Sequence, residues 1–268
     1  MLLKSRYFLH NIGSVISAYW LYWIPKNSVS GVLLKCFRKS ILMCGFVAVI
    51  AKDTRSKMPV VDISSLKNMT NMIFHRGPDD SGFVSDYDWF SLGFRRLSII
   101  DLSNNAHQPM QSIDKRFFIV FNGEVYNYVE LRDELKHAGH TFVSDSDTEV
   151  VLASYQQWGK DCVSHFIGMF AFVVVDVVDK SVFYSRDQLG IKPLFLYEDA
   201  ERFIFVSEIK SLLPFVQLEP DFFNLTEYLV LRSVLGERTL FKNVTQVLPG
   251  RIGHINNGIN CSEKIFNF

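Results

Sequence analysis

A series of short apolar runs, separated by turn-forming residues, constrains the fold of this 268-residue chain more than any other feature of its sequence. Short apolar runs bounded by turn signals are typical of buried β-strands. Such runs occur at 44–50, 89–94, 97–100, 117–121, 170–175, 181–185, 195–197 and 203–206. Helices are predicted at 62–74, 128–138, 148–158, 207–213 and 225–231, and Asn127 with Glu130 resembles a capping box that opens the second of them. Because strands outnumber helices and come in neighbouring runs, we predict an α+β fold with largely antiparallel sheets packed by helices.

Composition and charge narrow the classes of function. Hydrophobic residues make up 48% of the chain and charged residues 21%, as in a globular protein with a substantial core. The net charge is zero, but residues 1–43 carry six basic residues and no acidic one, so the remainder has a net charge of −6. A mildly acidic body of this kind argues against a nucleic-acid partner.

The cysteines predict a cellular compartment. Cys36, Cys44, Cys162 and Cys261 are widely spread and include no C-x-x-C pair. This spacing argues against a zinc site and against a disulfide framework, so we expect no metal and a reducing, cytoplasmic location.

Residues 1–43 differ in composition from the remainder of the chain. An apolar, aromatic stretch runs from Tyr7 to Ile24 and is closed by Pro25. Polar residues interrupt it and no small-residue cleavage site comes after it, so it is a marginal signal peptide or membrane span. Three interpretations stay open, namely a start codon assigned too far upstream, a removable leader and an anchor.

Met43 stands directly before Cys44, which opens the apolar run 44–50. If translation begins at Met43 and that residue is removed, Cys44 carries a thiol and a free α-amine, with reference pKa values of about 8.5 and about 8. An N-terminal nucleophile of this kind uses its own amine as the base. A single cysteine on a strand is more often a small core residue. The catalytic interpretation therefore depends on segments further along the chain.

Three polar segments each have a structural and a functional interpretation. Arg96 could form a surface ion pair or grip a carboxylate with both guanidinium nitrogens. Asn122-Gly123 is the pair typical of a hairpin turn, yet its amide and backbone N–H could also form an oxyanion hole. Residues 144–149 could cap a helix with an acidic first turn, or a carboxylate there could hold an ammonium group.

Together and in this order, these segments closely resemble the glutamine amidotransferase domain of asparagine synthetases. The matching motifs are Met43-Cys44-Gly45, His75-Arg76-Gly77-Pro78-Asp79, Arg96-Leu97-Ser98-Ile99-Ile100-Asp101, Asn122-Gly123-Glu124-Val125-Tyr126-Asn127, Asp145-Ser146-Asp147-Thr148-Glu149, Gly168-Met169-Phe170-Ala171-Phe172, Arg186-Asp187-Gln188-Leu189-Gly190-Ile191-Lys192-Pro193-Leu194 and Ser207-Glu208-Ile209-Lys210. The resemblance covers roughly residues 44 to 255. Amidotransferases that make glucosamine phosphate or phosphoribosylamine share the cysteine and the Asn-Gly pair, but the segment from Arg96 to Asp101 favours the asparagine synthetase branch.

This resemblance implies a fold, a reaction and a set of site residues. The fold is a four-layer αββα sandwich of the N-terminal nucleophile hydrolase type. Cys44 would attack the side-chain amide of glutamine, with Asn122 and Gly123 as the oxyanion donors. A thioester would release ammonia and then be hydrolysed to glutamate. The residues expected to bind glutamine are Arg96 (for the α-carboxylate), Glu124 and Asp147 (for the α-ammonium), and Leu97, Ser98, Ile99, Ile100, Asn122 and Gly123.

Two departures from the family pattern set the predicted domain organisation. Residues 1–43 precede a cysteine that the family has at its mature N-terminus, and the Ser-Gly-Gly-x-Asp-Ser pyrophosphate loop of the synthetase half does not occur. We therefore predict a leader at 1–43, an amidotransferase domain at 44–215 and a truncated beginning of a synthetase domain at 216–268. No cofactor is expected in this chain, because ATP and Mg²⁺ belong to the absent half.

The predicted function is the glutamine-hydrolysing half of a glutamine-dependent asparagine synthetase. Its expected partners are glutamine and a separate synthetase chain or domain, and a homodimer stays open. One alternative is a catalytically silent fragment that binds glutamine or docks a partner. Another is an amidotransferase that serves a different acceptor, such as a sugar in polysaccharide synthesis.

Overall fold

The computed structural model describes residues 43–55, 59–97 and 106–265. We number strands and helices in chain order. The strands are β1 (Gly45–Ala51), β2 (Asp80–Val84), β3 (Phe90–Arg96), β4 (Met110–Gln111), β5 (Phe117–Val125), β6 (Gly168–Asp176), β7 (Ser181–Arg186), β8 (Phe195–Glu198), β9 (Arg202–Val206), β10 (Val244–Gln246), β11 (Arg251–Asn256) and β12 (Ile259–Lys264). The helices are α1 (Ile63–Asn71), α2 (Tyr128–His137), α3 (Asp147–Trp158) and α4 (Phe222–Leu231), with 3₁₀ segments at Gly159–His165 and Ile209–Leu212.

The strands form two antiparallel sheets of six strands each. The first sheet has the order β10-β8-β9-β1-β3-β2, and the second has the order β12-β11-β7-β6-β5-β4. Strand β1 is hydrogen-bonded on both sides, since Val47 lies opposite Gly93 of β3 and opposite Val206 of β9. Strand β1 therefore occupies an interior position in the first sheet.

Side-chain alternation along β1 explains why its sequence is apolar throughout. Phe46, Ala48 and Ile50 point between the two sheets, where they join the largest buried cluster. Val47 and Val49 point to the opposite face and pack with Leu66 and Met69 of α1. Because both faces of the strand are buried, a continuous apolar run replaces the alternating pattern of a half-exposed strand.

The packing of the helices completes a four-layer arrangement. Helix α1 and the 3₁₀ segment Ile209–Leu212 cover the outer face of the first sheet. Helices α2 and α3 cover the outer face of the second sheet through a cluster that includes Leu131, Leu135, Val150 and Phe172. The layers are stacked in the order helix, sheet, sheet, helix. The predicted α+β sandwich is confirmed.

Several local predictions differ from the structure. The pair Asn122-Gly123 lies inside β5, so the hairpin interpretation is wrong. Asn127 does not cap α2 with its side chain, because its amide instead bonds the backbone of His165 (2.9 Å) and Ile167 (2.9 Å). Strand β3 ends at Arg96, and the strand predicted at 97–100 falls mostly on residues 98–100, which lie outside the described residues. The helix predicted at 207–213 is a short 3₁₀ segment.

The C-terminal segment contributes to both sheets. Strand β10 pairs with β8 at the edge of the first sheet, and β11 pairs with β7 in the second sheet. Residues 244–264 therefore pack with the predicted amidotransferase domain, whereas the boundary at 215/216 stays a prediction. The interpretations offered for residues 1–42 lie outside the described residues.

No helix in the described ranges is both long and apolar enough to cross a membrane. The cysteines at 44, 162 and 261 are all free thiols.

We expect the contact between the two sheets to dominate the free energy of unfolding. Phe205 of β9 is fully buried between them, with its ring centroid 4.7 Å from that of Tyr184 in β7. Phe205→Ala is expected to lower the free energy of unfolding by about 3–5 kcal/mol, because it leaves a cavity in this core. Urea titration followed by circular dichroism measures the change. The control is Val178→Ala at a side chain that is 66% exposed, for which we expect a change within about 0.5 kcal/mol.

Candidate active site

The pairing of β1 with β3 places Cys44 beside Leu97. Gly45 lies opposite Arg95 in this ladder, so the residues flanking the two strand ends come together. The backbone N–H of Leu97 donates a hydrogen bond to Cys44 Sγ at 3.3 Å, and Sγ also lies 3.6 Å from the Leu97 carbonyl oxygen. The predicted nucleophile is thus held against the first residue of the predicted glutamine-binding segment.

A buried ion cluster fixes the backbone of Cys44. Arg76 donates through Nε to the carbonyl oxygen of Cys44 (2.9 Å) and through a terminal nitrogen to Glu208 (2.9 Å). Glu208 is also contacted by His75 (3.0 Å) and Lys210 (3.0 Å). Burial works against ionisation of Glu208, but the hydrogen bonds from His75 and Arg76 outweigh it and lower its pKa to about 2. A permanent carboxylate therefore orients the arginine that holds Cys44.

The sequence motifs do not reveal this cluster as a functional feature. The motifs containing His75-Arg76 and Ser207-Glu208 carry the family resemblance, but Arg76 and Glu208 are 132 residues apart. Nothing local indicates that they pair. Only the position of β9 next to β1 brings Glu208 to the start of the first strand.

Strand β5 carries the predicted oxyanion donors. Asn122 is 1% exposed, and its Nδ2 has no hydrogen-bond partner among the residues that the structure describes. A buried amide donor without a partner is uncommon and calls for an explanation such as a catalytic role. Gly123 is required by close packing, because an added Cβ would lie 2.4 Å from the Met169 carbonyl oxygen of β6.

Gln108 positions the middle of β5 at Phe121, although no pattern in the sequence points to it. Its Oε1 accepts a hydrogen bond from the Phe121 backbone N–H (2.6 Å), and its Nε2 donates to the Phe121 carbonyl oxygen (3.2 Å). The same Nε2 donates to Thr148 Oγ1 (3.2 Å) at the start of α3. The buried side chain of Gln108 thus bonds the backbone of Phe121 as a neighbouring strand would, and it links β5 to α3.

Asp147 is the first residue of α3 and lies at the end of β5. Its Oδ2 accepts a hydrogen bond from the Val125 backbone N–H at 3.1 Å, and the residue is 5% exposed. Ser146 caps the helix through Thr148 N–H at 3.1 Å, as predicted from the sequence. Burial raises the pKa of Asp147 to about 6, aided by the charge of Glu124 and opposed by the N–H groups of Val125 and Thr148.

These elements enclose a cavity of about 80 Å³. Its lining residues are Cys44, Arg96, Leu97, Ala106, Gln108, Phe121, Gly123, Glu124, Ser146, Asp147 and Thr148. The structure therefore brings six of the predicted site residues around one space, with Asn122 between two lining residues of β5. Ser98, Ile99 and Ile100 lie outside the described residues, so their predicted role stays a prediction.

Charges of both signs lie near the Cys44 thiol, from Arg76 and Arg96 on one hand and Asp147 on the other. Burial raises the pKa of this thiol, while the Leu97 N–H and the charges of Arg76 and Arg96 act in the opposite direction. Lys192, which is 5% exposed, places Nζ 3.1 Å from the sulfur of Met43. Burial lowers the pKa of Lys192, and the charge of Arg76 adds to this effect. Lys192 belongs to one of the matching motifs, but the sequence alone assigns it no role.

Within 43–55, 59–97 and 106–265, no group of three or more His, Cys, Asp or Glu side chains is placed to hold a metal ion.

The raised pKa of Asp147 predicts a pH dependence of stability. The unfolded chain has an Asp pKa of about 3.9, so the folded state binds the proton more tightly. The resulting stabilisation is fully present below about pH 3.9 and is lost as the pH rises through about 6. We expect the unfolding free energy of the wild type, relative to Asp147→Asn, to fall by about 2 kcal/mol between about pH 4 and about pH 7. Urea titrations of both proteins measure this, and a pH-independent difference would contradict it.

The sequence also matches a protein family and several curated relatives. The family model described as glutamine amidotransferase domain matches residues 43–266. Asparagine synthetase [glutamine-hydrolyzing] 1 of Bacillus subtilis is 42% identical over 209 residues, which cover 78% of this chain and 33% of that protein. A putative asparagine synthetase of Mycobacterium bovis is 38% identical over 229 residues, covering 80% and 35% respectively. The chain thus spans about a third of the length of the curated relatives that it matches.

A solved structure supports the fold. Glutamine phosphoribosylpyrophosphate amidotransferase from B. subtilis, complexed with ADP and GMP, superposes with a TM-score of 0.59 at 17% identity. The match covers 82% of this chain and 49% of the other. At this identity it bears on the fold alone, which is that of N-terminal nucleophile amidotransferases. Since the family model extends from Met43 through the last strand and includes every residue that lines the cavity, the chain belongs to the glutamine amidotransferase domain family.

Proposed function

We propose that this chain is the glutamine-hydrolysing half of a glutamine-dependent asparagine synthetase, acting in the cytoplasm. The observation that carries the proposal is the single cavity in which Cys44 meets a buried arginine, Arg96, and two carboxylates, Glu124 and Asp147. A guanidinium can bind the α-carboxylate of an amino acid, and a pair of carboxylates can bind its α-ammonium group. The identity to asparagine synthetases supports this branch of the family.

The chemistry begins with proton transfer from the thiol. The α-amine of an N-terminal Cys44 accepts the proton, and Sγ attacks the side-chain amide carbon of glutamine. The negative charge that develops on the amide oxygen is stabilised by Asn122 Nδ2 and the Gly123 N–H. The protonated amine then gives its proton to the departing nitrogen, and ammonia leaves. Water hydrolyses the thioester to glutamate and regenerates the thiol.

This mechanism requires a free α-amine on Cys44. In the full sequence Cys44 is joined to Met43, and an amide nitrogen has no basic lone pair. Burial also raises the pKa of the thiol, so little thiolate forms without a base. These two observations favour the second candidate, a silent glutamine-binding protein, for any form of the chain in which Met43 remains attached.

Glutamate release from glutamine tests the proposal. We expect a protein that begins at Cys44, produced from Met43 with that methionine removed, to release glutamate. The full-length chain with Met43 attached is expected to bind glutamine without turnover. Cys44→Ala in the shorter protein is the matched control, and circular dichroism checks that each form is folded. A folded protein that begins at Cys44 and releases no glutamate would overturn the proposal.

Asn122 should act mainly on the chemical step. Its buried Nδ2 has no partner in the described part of the chain, and in the proposed mechanism Asn122→Ala removes this donor from the transition state. We expect kcat for glutamate release to fall by about 10²–10³-fold, with a small change in KM. Asn256→Ala, at an exposed position of β11, is the control and should leave both constants unchanged. A rise in KM at constant kcat would assign Asn122 to substrate binding instead.

A further inference from the structure

Helix α4 is apolar in sequence, yet its apolar side chains lie on the outside of the protein. Asn224 is its one buried residue. Phe222, Phe223 and Val230 are 73%, 74% and 75% exposed. A surface helix of a free-standing globular protein normally turns its apolar side inward and its polar side to water. In helix α4, five of the six Phe, Leu and Val side chains are exposed instead.

Polar contacts attach this helix to the rest of the protein. Asn224 Nδ2 donates to the Thr239 carbonyl oxygen at 2.8 Å. Arg238 donates to Asn224 Oδ1 at 3.2 Å and to Glu227 Oε1 at 2.9 Å. The polar side of α4 is thus already used inside the protein, and this leaves the apolar side for contact with something else.

The exposed apolar residues form a defined surface, which we call the α4 patch. It consists of Phe222, Phe223, Leu229, Val230, Leu231 and Leu235, each at least half exposed. Large apolar side chains grouped in this way on a protein surface mark an interaction site. None of them lines the cavity that holds Cys44, so the patch can be covered without closing that cavity.

Charge distinguishes between classes of partner. Helices that lie on membranes carry lysine and arginine along their polar side. Helix α4 contains no basic residue, and the nearby Arg238 is paired with Glu227. Arg232, which follows the helix directly, is the one exposed basic residue between Leu231 and Leu235, and a single arginine does not make such a basic side. Phe and Leu side chains with so little positive charge beside them fit a protein surface, where aromatic residues are enriched at contact centres.

The relatives indicate the class of that protein. The matched part of this chain accounts for 33% and 35% of the two asparagine synthetases, so such proteins join a domain like this one to about twice as much further polypeptide. We propose that the α4 patch docks a separate synthetase polypeptide that corresponds to this remainder. This inference rests on the proposed function and assigns the contact surface of its partner.

A photocrosslink in the cells that make this protein tests the assignment. Benzoylphenylalanine replaces Phe223 in the full-length chain, and the crosslinked peptides are identified by mass spectrometry after irradiation. We expect adducts with peptides that are homologous to the remaining two thirds of asparagine synthetases. Adding Val230→Glu places a charge in the patch and should abolish the adduct. Benzoylphenylalanine at Val178, which is exposed outside the patch, should give no such adduct.

Each other outcome overturns the assignment. An adduct between two copies of this chain would make the patch a homodimer contact, and an adduct with an unrelated protein or none would remove the synthetase as its occupant. A measurement of glutamate release tests the proposed function independently of docking. Phe223→Glu in the protein that begins at Cys44 should retain full glutaminase activity, so loss of docking with intact activity would leave the proposed function standing.

Discussion

The buried contact between Arg76, the carbonyl oxygen of Cys44 and Glu208 is the interaction on which the site depends. It joins the segment before β1, the loop after α1 and the end of β9, which are far apart in sequence. Removing one member of such a buried pair is expected to cost about 3–5 kcal/mol, because the other charge is left without its partner. The hydrogen bonds that lower the pKa of Glu208 to about 2 keep the contact charged over the whole range in which the protein is expected to work.

The site combines structural and chemical roles in the same residues. Asp147 begins α3, accepts a hydrogen bond from β5 and lines the cavity. From the sequence, residues 144–149 could form either a helix cap or an ammonium-binding site. In the structure, different residues of this segment can take these two roles. Ser146 provides the cap, so the carboxylate of Asp147 is available to face the cavity. The raised pKa of Asp147 reflects the burial that this position requires.

The sequence predicted most strands of the two sheets because their apolar runs have clear ends. It failed where long-range pairing decides the local structure. Asn122-Gly123 has the composition of a turn, but pairing with β6 keeps it extended. The side chain of Asn127 forms hydrogen bonds with the backbone of His165 and Ile167 instead of capping α2. Six of the eleven cavity-lining residues could be predicted from the motifs, whereas Gln108 and the contact of Arg76 with Glu208 depend on neighbours that only the fold supplies.

The position of β1 has a consequence for how the site responds to local opening. Its backbone groups are hydrogen-bonded to β3 on one side and to β9 on the other, and its side chains are buried on both faces. Amide hydrogens on such a strand exchange with solvent only when the whole domain unfolds, whereas those on the edge strands β2 and β12 exchange through local fraying. The strand next to Cys44 therefore belongs to the slowest-exchanging part of the protein. Fraying at the sheet edges therefore leaves the backbone beside the nucleophile in place.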